Sequence, residues 1–85
     1  MKSKLKELRE KIRVVDEEIL RLICRRFKLA KQVNQVKRKL NIPVIDYAVE
    51  REVIDHAIKI SRQQGLRSEF TSSIVQLLLA ESVRV

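Results

Sequence analysis

Eighty-five residues with a net charge of +8, one glycine, one proline and no tryptophan describe one small, strongly basic domain, residues 1–85, with little material for turns. The single cysteine, Cys24, excludes an intrachain disulfide framework; the single histidine, His56, excludes a His-based metal cluster or triad within a chain; the single glycine excludes a glycine-rich phosphate loop. No apolar run approaches a membrane span, and the N-terminus alternates charges where a signal peptide carries an apolar block, so the expected setting is the cytoplasm, with Cys24 packed as a reduced thiol.

The first predicted helix runs from about Ser3 to Leu40. From Leu5 the apolar residues step by alternating threes and fours through Leu8, Ile12, Val15, Ile19, Leu22, Leu29, Val33, Val36 and Leu40. Such a helix is roughly 55 Å long, whereas a compact chain of this size has a radius of gyration near 12 Å. It projects beyond its own chain and needs a partner to cover it, and a two-fold homodimer is the simplest supply.

Arg26 occupies the one missing step of that apolar seam. A cation there must meet an anion, because an unpaired buried charge costs several kcal/mol. Lys37 lies eleven positions on, about three turns, and projects toward nearly the same side, so the two side chains can grip opposite ends of a small polyanion. Arg9 borders the same seam, but about 25 Å from Arg26 along the axis; only a partner's N-terminal turns can deliver an Arg9 to that place.

Residues 1–40 carry fourteen Lys or Arg against five acids, and residues 41–85 carry five against six, so all the excess charge sits on the first helix. A solvated face, a nucleic-acid surface and a site for an acidic small molecule all fit this bias. The aromatics, Phe27, Tyr47 and Phe70, form no stacking platform for single-stranded nucleic acid.

Asn41 to Ile45 read as a short extended connector, with Pro43 blocking helix continuation. Asp46 is the expected N-cap of a second helix, with Val49, Val53, Ile54, Ala57, Ile58 and Ile60 inward and Gly65 as its stop. Ser68 is the expected cap of a third, whose apolar face is Phe70, Ile74, Leu77 and Leu78. Asp46 and Glu50, four apart, share a face: they form either an acid pair favoured by the helix dipole or, with Glu50 turned inward, a ligand for a hydroxyl or a cation. Ser82 lies beside the apolar stripe of the third helix, where a serine ordinarily bonds its own backbone.

These residues together resemble the all-helical chorismate mutases, found alone or fused to prephenate-processing enzymes. The resemblance rests on Leu8-Arg9-Glu10-Lys11-Ile12 followed by Asp16, Arg26 before Leu29-Ala30, then Lys37, Pro43-Val44-Ile45-Asp46, Glu50, and Gln76-Leu77 through Glu81-Ser82-Val83. It spans about Leu5 to Val83 without gaps. It implies an all-α, intertwined homodimer of three-helix chains that converts chorismate to prephenate without cofactor or metal. By the same resemblance, Arg26 and the partner's Arg9 hold the two substrate carboxylates, Lys37 donates to the ether oxygen, Glu50 binds the ring hydroxyl, and Asp46 and Ser82 complete the pocket.

The chemistry suits these residue types. An intramolecular [3,3] rearrangement needs no nucleophile; it needs a fixed reactive conformer and stabilisation of charge developing on the ether oxygen. Two departures stand out. Val49 sits where the family usually has arginine, with Arg51 two residues later as a possible substitute cation. The family also places a glutamine four residues beyond Ser82, so a further C-terminal turn after Val85 is expected. Competing expectations are an isochorismate pyruvate lyase on the same scaffold, a basic helical dimer binding nucleic acid through Lys28, Lys31, Arg38 and Lys39, and a purely structural dimerisation module. Neither of the last two explains Arg26.

Overall fold

Three helices and no strands make up the structure, a computed structural model describing residues 1–85: α1 (Lys2–Lys39), α2 (Tyr47–Gln63) and α3 (Ser68–Ser82). The α1 sequence holds no Gly or Pro over 38 residues. Its exposed pairs Lys11–Glu7 at 3.7 Å and Arg21–Glu17 at 3.6 Å each add a few tenths of a kcal/mol to a helix that propensity already favours.

Both interhelix turns close in the same way. After α1, Asn41 takes a left-handed backbone (φ 55°), and the amides of Asn41 and Ile42 reach back to the carbonyls of Arg38 (3.2 Å) and Lys37 (2.8 Å). After α2, Gly65 (φ 80°) does the same, with its amide on Arg62 O (3.1 Å) and that of Leu66 on Ser61 O (2.9 Å). These are Schellman closures, satisfying carbonyls that the end of a helix leaves without partners. Asn41 tolerates the left-handed region where most residues do not, so α1 is already turned back before Pro43 is reached.

Asp46 caps α2 as expected, its Oδ1 accepting from the amides of Ala48 (3.1 Å) and Val49 (3.2 Å). We expect Asp46→Ala to lower unfolding free energy by about 1 kcal/mol, measured by urea titration. Ser68 does not cap α3. The cap position belongs to Arg67, and Ser68 Oγ instead accepts from Arg62 Nε at 3.0 Å, linking the last turn of α2 to the first of α3.

The short Gln64–Arg67 connection folds α2 and α3 into a hairpin, and α1 packs on α3 rather than on α2. The side of α3 turned to α2 is led by the buried Thr71 and Val75, opposite the buried Ser61. Phe70, Ile74 and Leu77, expected to lead the inward face, stay exposed in the chain; Leu78 alone of that group is half-buried. On α2, Val53, Ile54, Ala57 and Ile58 are half-buried as expected, whereas Val49 and Ile60 are exposed.

The long helix sets the shape. The molecule measures 59 × 24 × 15 Å with a radius of gyration of 16.6 Å, against about 12 Å for a compact chain of this length. All ten apolar residues of the α1 seam are 44–63% exposed, and Val75 is the only buried hydrophobic residue. Cys24 is exposed too, bordered by Leu20, Arg21, Arg25 and Lys28, which corrects the expectation of an apolar, packed setting. No helix is long and apolar enough to cross a membrane.

Candidate active site

Arg26 and Lys37 do converge. Both line one cavity of about 350 Å³, near the lower end of the range typical of small-molecule sites, where α1, the connector, α2 and the end of α3 meet. Its apolar walls include Leu29 and Val33 from α1, Val44 from the connector and Val53 from α2; its polar groups are Arg26, Asn34, Lys37 and Ser82. Two cations and no acid line this space, so its field favours an anion.

Each polar group is held. Arg26 Nη1 donates to Ser82 Oγ at 2.6 Å, and that hydroxyl donates in turn to Leu78 O one turn back along α3, also at 2.6 Å. The expected backbone bond of Ser82 is therefore present, and the remaining capacity of the hydroxyl is spent on the arginine. Lys37 Nζ donates to Val44 O at 3.0 Å, which ties the connector over the cavity and leaves two ammonium hydrogens free. Arg26 makes no ion pair within the chain, so its charge is uncompensated until an anion arrives.

The other expected site residues lie outside the cavity. Arg9 is exposed and, seventeen residues before Arg26 on the same helix, about 25 Å away. Glu50 is half-buried in the first turn of α2 without a hydrogen-bond partner, and Asp46 is exposed, its Oδ1 engaged at the cap of α2. Arg51 points to solvent and pairs with Asp55 at 3.5 Å, while Glu52 is exposed; of the two neighbouring glutamates, Glu50 is the one turned inward.

Asn34 had not been anticipated. It is 5% exposed, the only buried residue of α1, and its Nδ2 donates to the carbonyls of Ser82 (2.8 Å) and Val85 (3.1 Å). The available signal was a short polar side chain beside the seam, between Val33 and Val36, one turn from Lys37.

Lys28, Lys31, Arg38 and Lys39 are exposed, make no ion pairs and have no aromatic residue among them. No group of His, Cys, Asp or Glu is placed to hold a metal ion.

Two cations converging on one pocket beside a long first helix define an all-helical protein with a cationic cavity. More particularly, the chain belongs to the type II chorismate mutase family, whose family model (Chorismate mutase type II) matches residues 8–85. It is 35% identical over 79 residues to a chorismate mutase of Methanocaldococcus jannaschii, covering 93% of this chain and 80% of that protein. It is 42% identical over 61 residues to a bifunctional chorismate mutase/prephenate dehydratase of Aquifex aeolicus, and 33% identical over 76 residues to one of Escherichia coli. Those matches cover 72% and 89% of this chain but only 17% and 20% of the two bifunctional relatives.

Proposed function

We propose that this chain is a chorismate mutase: a cofactor-independent isomerase of the cytoplasm that rearranges chorismate to prephenate in aromatic amino-acid biosynthesis. The observation that carries the reading is the convergence of Arg26, Lys37 and Ser82 on one anion pocket, in a chain that belongs to the type II family. Arg26 holds one carboxylate of chorismate and, with Ser82, fixes the reactive conformer. Lys37 donates to the ether oxygen as its bond to carbon breaks, stabilising the charge that develops there. Glu50 accepts from the ring hydroxyl, with Asp46 beside it at the mouth of the pocket.

The working unit of this proposal is an intertwined homodimer. The open seam of α1 supports it, since ten apolar side chains at roughly half exposure represent a surface far larger than a monomer ordinarily leaves bare. The distance between Arg9 and Arg26 supports it as well: a second carboxylate needs a second cation, and Arg9 of the partner subunit supplies it.

The first test is loss of chorismate absorbance on adding the purified protein, with the product identified by chromatography. Prephenate is the expected product; pyruvate released from isochorismate without prephenate would replace the mutase by a lyase. A mixed assembly then tests the shared site. Arg9→Ala and Arg26→Ala chains, each inactive alone, are expected to regain about a quarter of wild-type activity when co-refolded in equal amounts, since half the dimers then hold one intact site of two. No recovery would exclude the composite geometry.

A further inference from the structure

We infer that Asn34 is a positioning residue of the anion pocket, clamping the end of α3 so that Ser82 holds Arg26 and screening the Ser82 carbonyl from the bound anion; its catalytic consequence rests on the mutase reading above. The argument begins with the end of α3. The last four carbonyls of a helix lack intrahelical partners and form the negative end of its dipole. Here that end abuts a pocket built to receive an anion, an unfavourable placement unless the carbonyls are covered. Asn34 covers Ser82 O, at that helix end, with one amide hydrogen, and its other reaches Val85 O three residues further on. Both partners are acceptors only, so the amide orientation is fixed: Nδ2 faces the carbonyls.

Ser82 is thereby gripped from α1 at two atoms, its carbonyl by Asn34 and its hydroxyl by Arg26. The two contacts support each other. With the carbonyl released, the end of α3 is free to move away, and Arg26 loses the acceptor that holds its guanidinium in place. A shift of about 1 Å in such a group can cost a hundredfold in rate.

Asn34→Ala and the nearly isosteric Asn34→Asp test this. Alanine removes the donor and the volume; aspartate keeps the volume, exchanges the donor for an acceptor and adds a negative charge, setting a carboxylate against two acceptors. The charged groups facing this position are Arg26 and Lys37, both on α1; Glu81 and Arg84 at the same end of the chain pair with each other at 3.9 Å. Both variants are expected to lose about ten- to a hundredfold in kcat/KM, with KM rising more than kcat falls, because a carboxylate clamp serves ground and transition states alike.

The second readout needs no substrate. In the unmutated protein the Arg26 guanidinium is expected to rotate slowly on the NMR timescale and both Asn34 side-chain amide protons to exchange slowly with solvent; in either variant the Arg26 signal is expected to average. A role in packing alone leaves the Arg26 signal of the aspartate variant like that of wild type. That result, or fast exchange of the Asn34 amide in the unmutated protein, would overturn the inference even if neither variant folds. Failure to turn over chorismate with the NMR signatures intact would count against the mutase reading and leave the clamp standing.

Discussion

Arg26→Ala is expected to lower kcat/KM for chorismate by about a thousandfold while leaving the fold and the proposed dimer in place. Truncating one side of a desolvated, hydrogen-bonded charge pair typically costs about 2–5 kcal/mol, and roughly 4 kcal/mol is three decades of rate. Stability moves differently. In the unliganded chain Arg26 sits on the apolar seam with a serine hydroxyl as its acceptor and no carboxylate partner. Its removal therefore relieves a desolvated charge as it deletes a bond, and unfolding free energy is expected to change by less than about 1 kcal/mol. Steady-state kinetics, urea titration and sedimentation on the same sample separate the two effects. Retained turnover would reject the site; collapse of the dimer would make Arg26 an interface residue.

Lys37→Ala is expected to act on the chemical step. Removing a preorganised donor from a developing oxyanion costs about 3–4 kcal/mol, so kcat is expected to fall by roughly 10²–10³ with a smaller change in KM. The ammonium donates to Val44 O in the absence of substrate, so it stands at the pocket wall with hydrogens to spare. Alanine also frees the connector, and a modest loss of stability, on the order of 1 kcal/mol, should accompany the kinetic effect. Lys37→Arg keeps the charge but presents a planar fork in place of a compact ammonium and is expected to recover little. A KM defect with kcat intact would make Lys37 a carboxylate ligand and leave the ether oxygen without its donor.

The long helix was legible because its signal is redundant: ten apolar positions fit one rhythm of threes and fours, and the one that breaks it, Arg26, marks the pocket. Asp46 and Gly65 were legible as cap and stop because each has a specific backbone job that few residues perform. The facing side of α3 was not. That helix is apolar around much of its circumference, so periodicity cannot choose between the Phe70–Ile74–Leu77 stripe and the Thr71–Val75 stripe, and packing on α2 decides. The start of α3 moved by one residue because the hydroxyl of Ser68 found Arg62, six residues back. Asn34 was invisible for another reason: its partners lie 48 and 51 residues away, and no local pattern announces a bond across that separation. Arg9 was singled out by the family resemblance and by its place beside the seam, while its own chain leaves it 25 Å from the pocket.

With Val75 as its only buried apolar side chain, the isolated chain has almost no hydrophobic reserve to set against the entropy of ordering 85 residues. Its folding equilibrium therefore belongs to mass action as much as to sequence. On the proposed homodimer, the second copy that covers the α1 seam enters the equilibrium constant as a reactant, so the melting temperature is expected to rise with protein concentration and dilution to act as a denaturant. For such a dimer the number of copies in a cell would itself set how much of the chain holds a fold and a pocket.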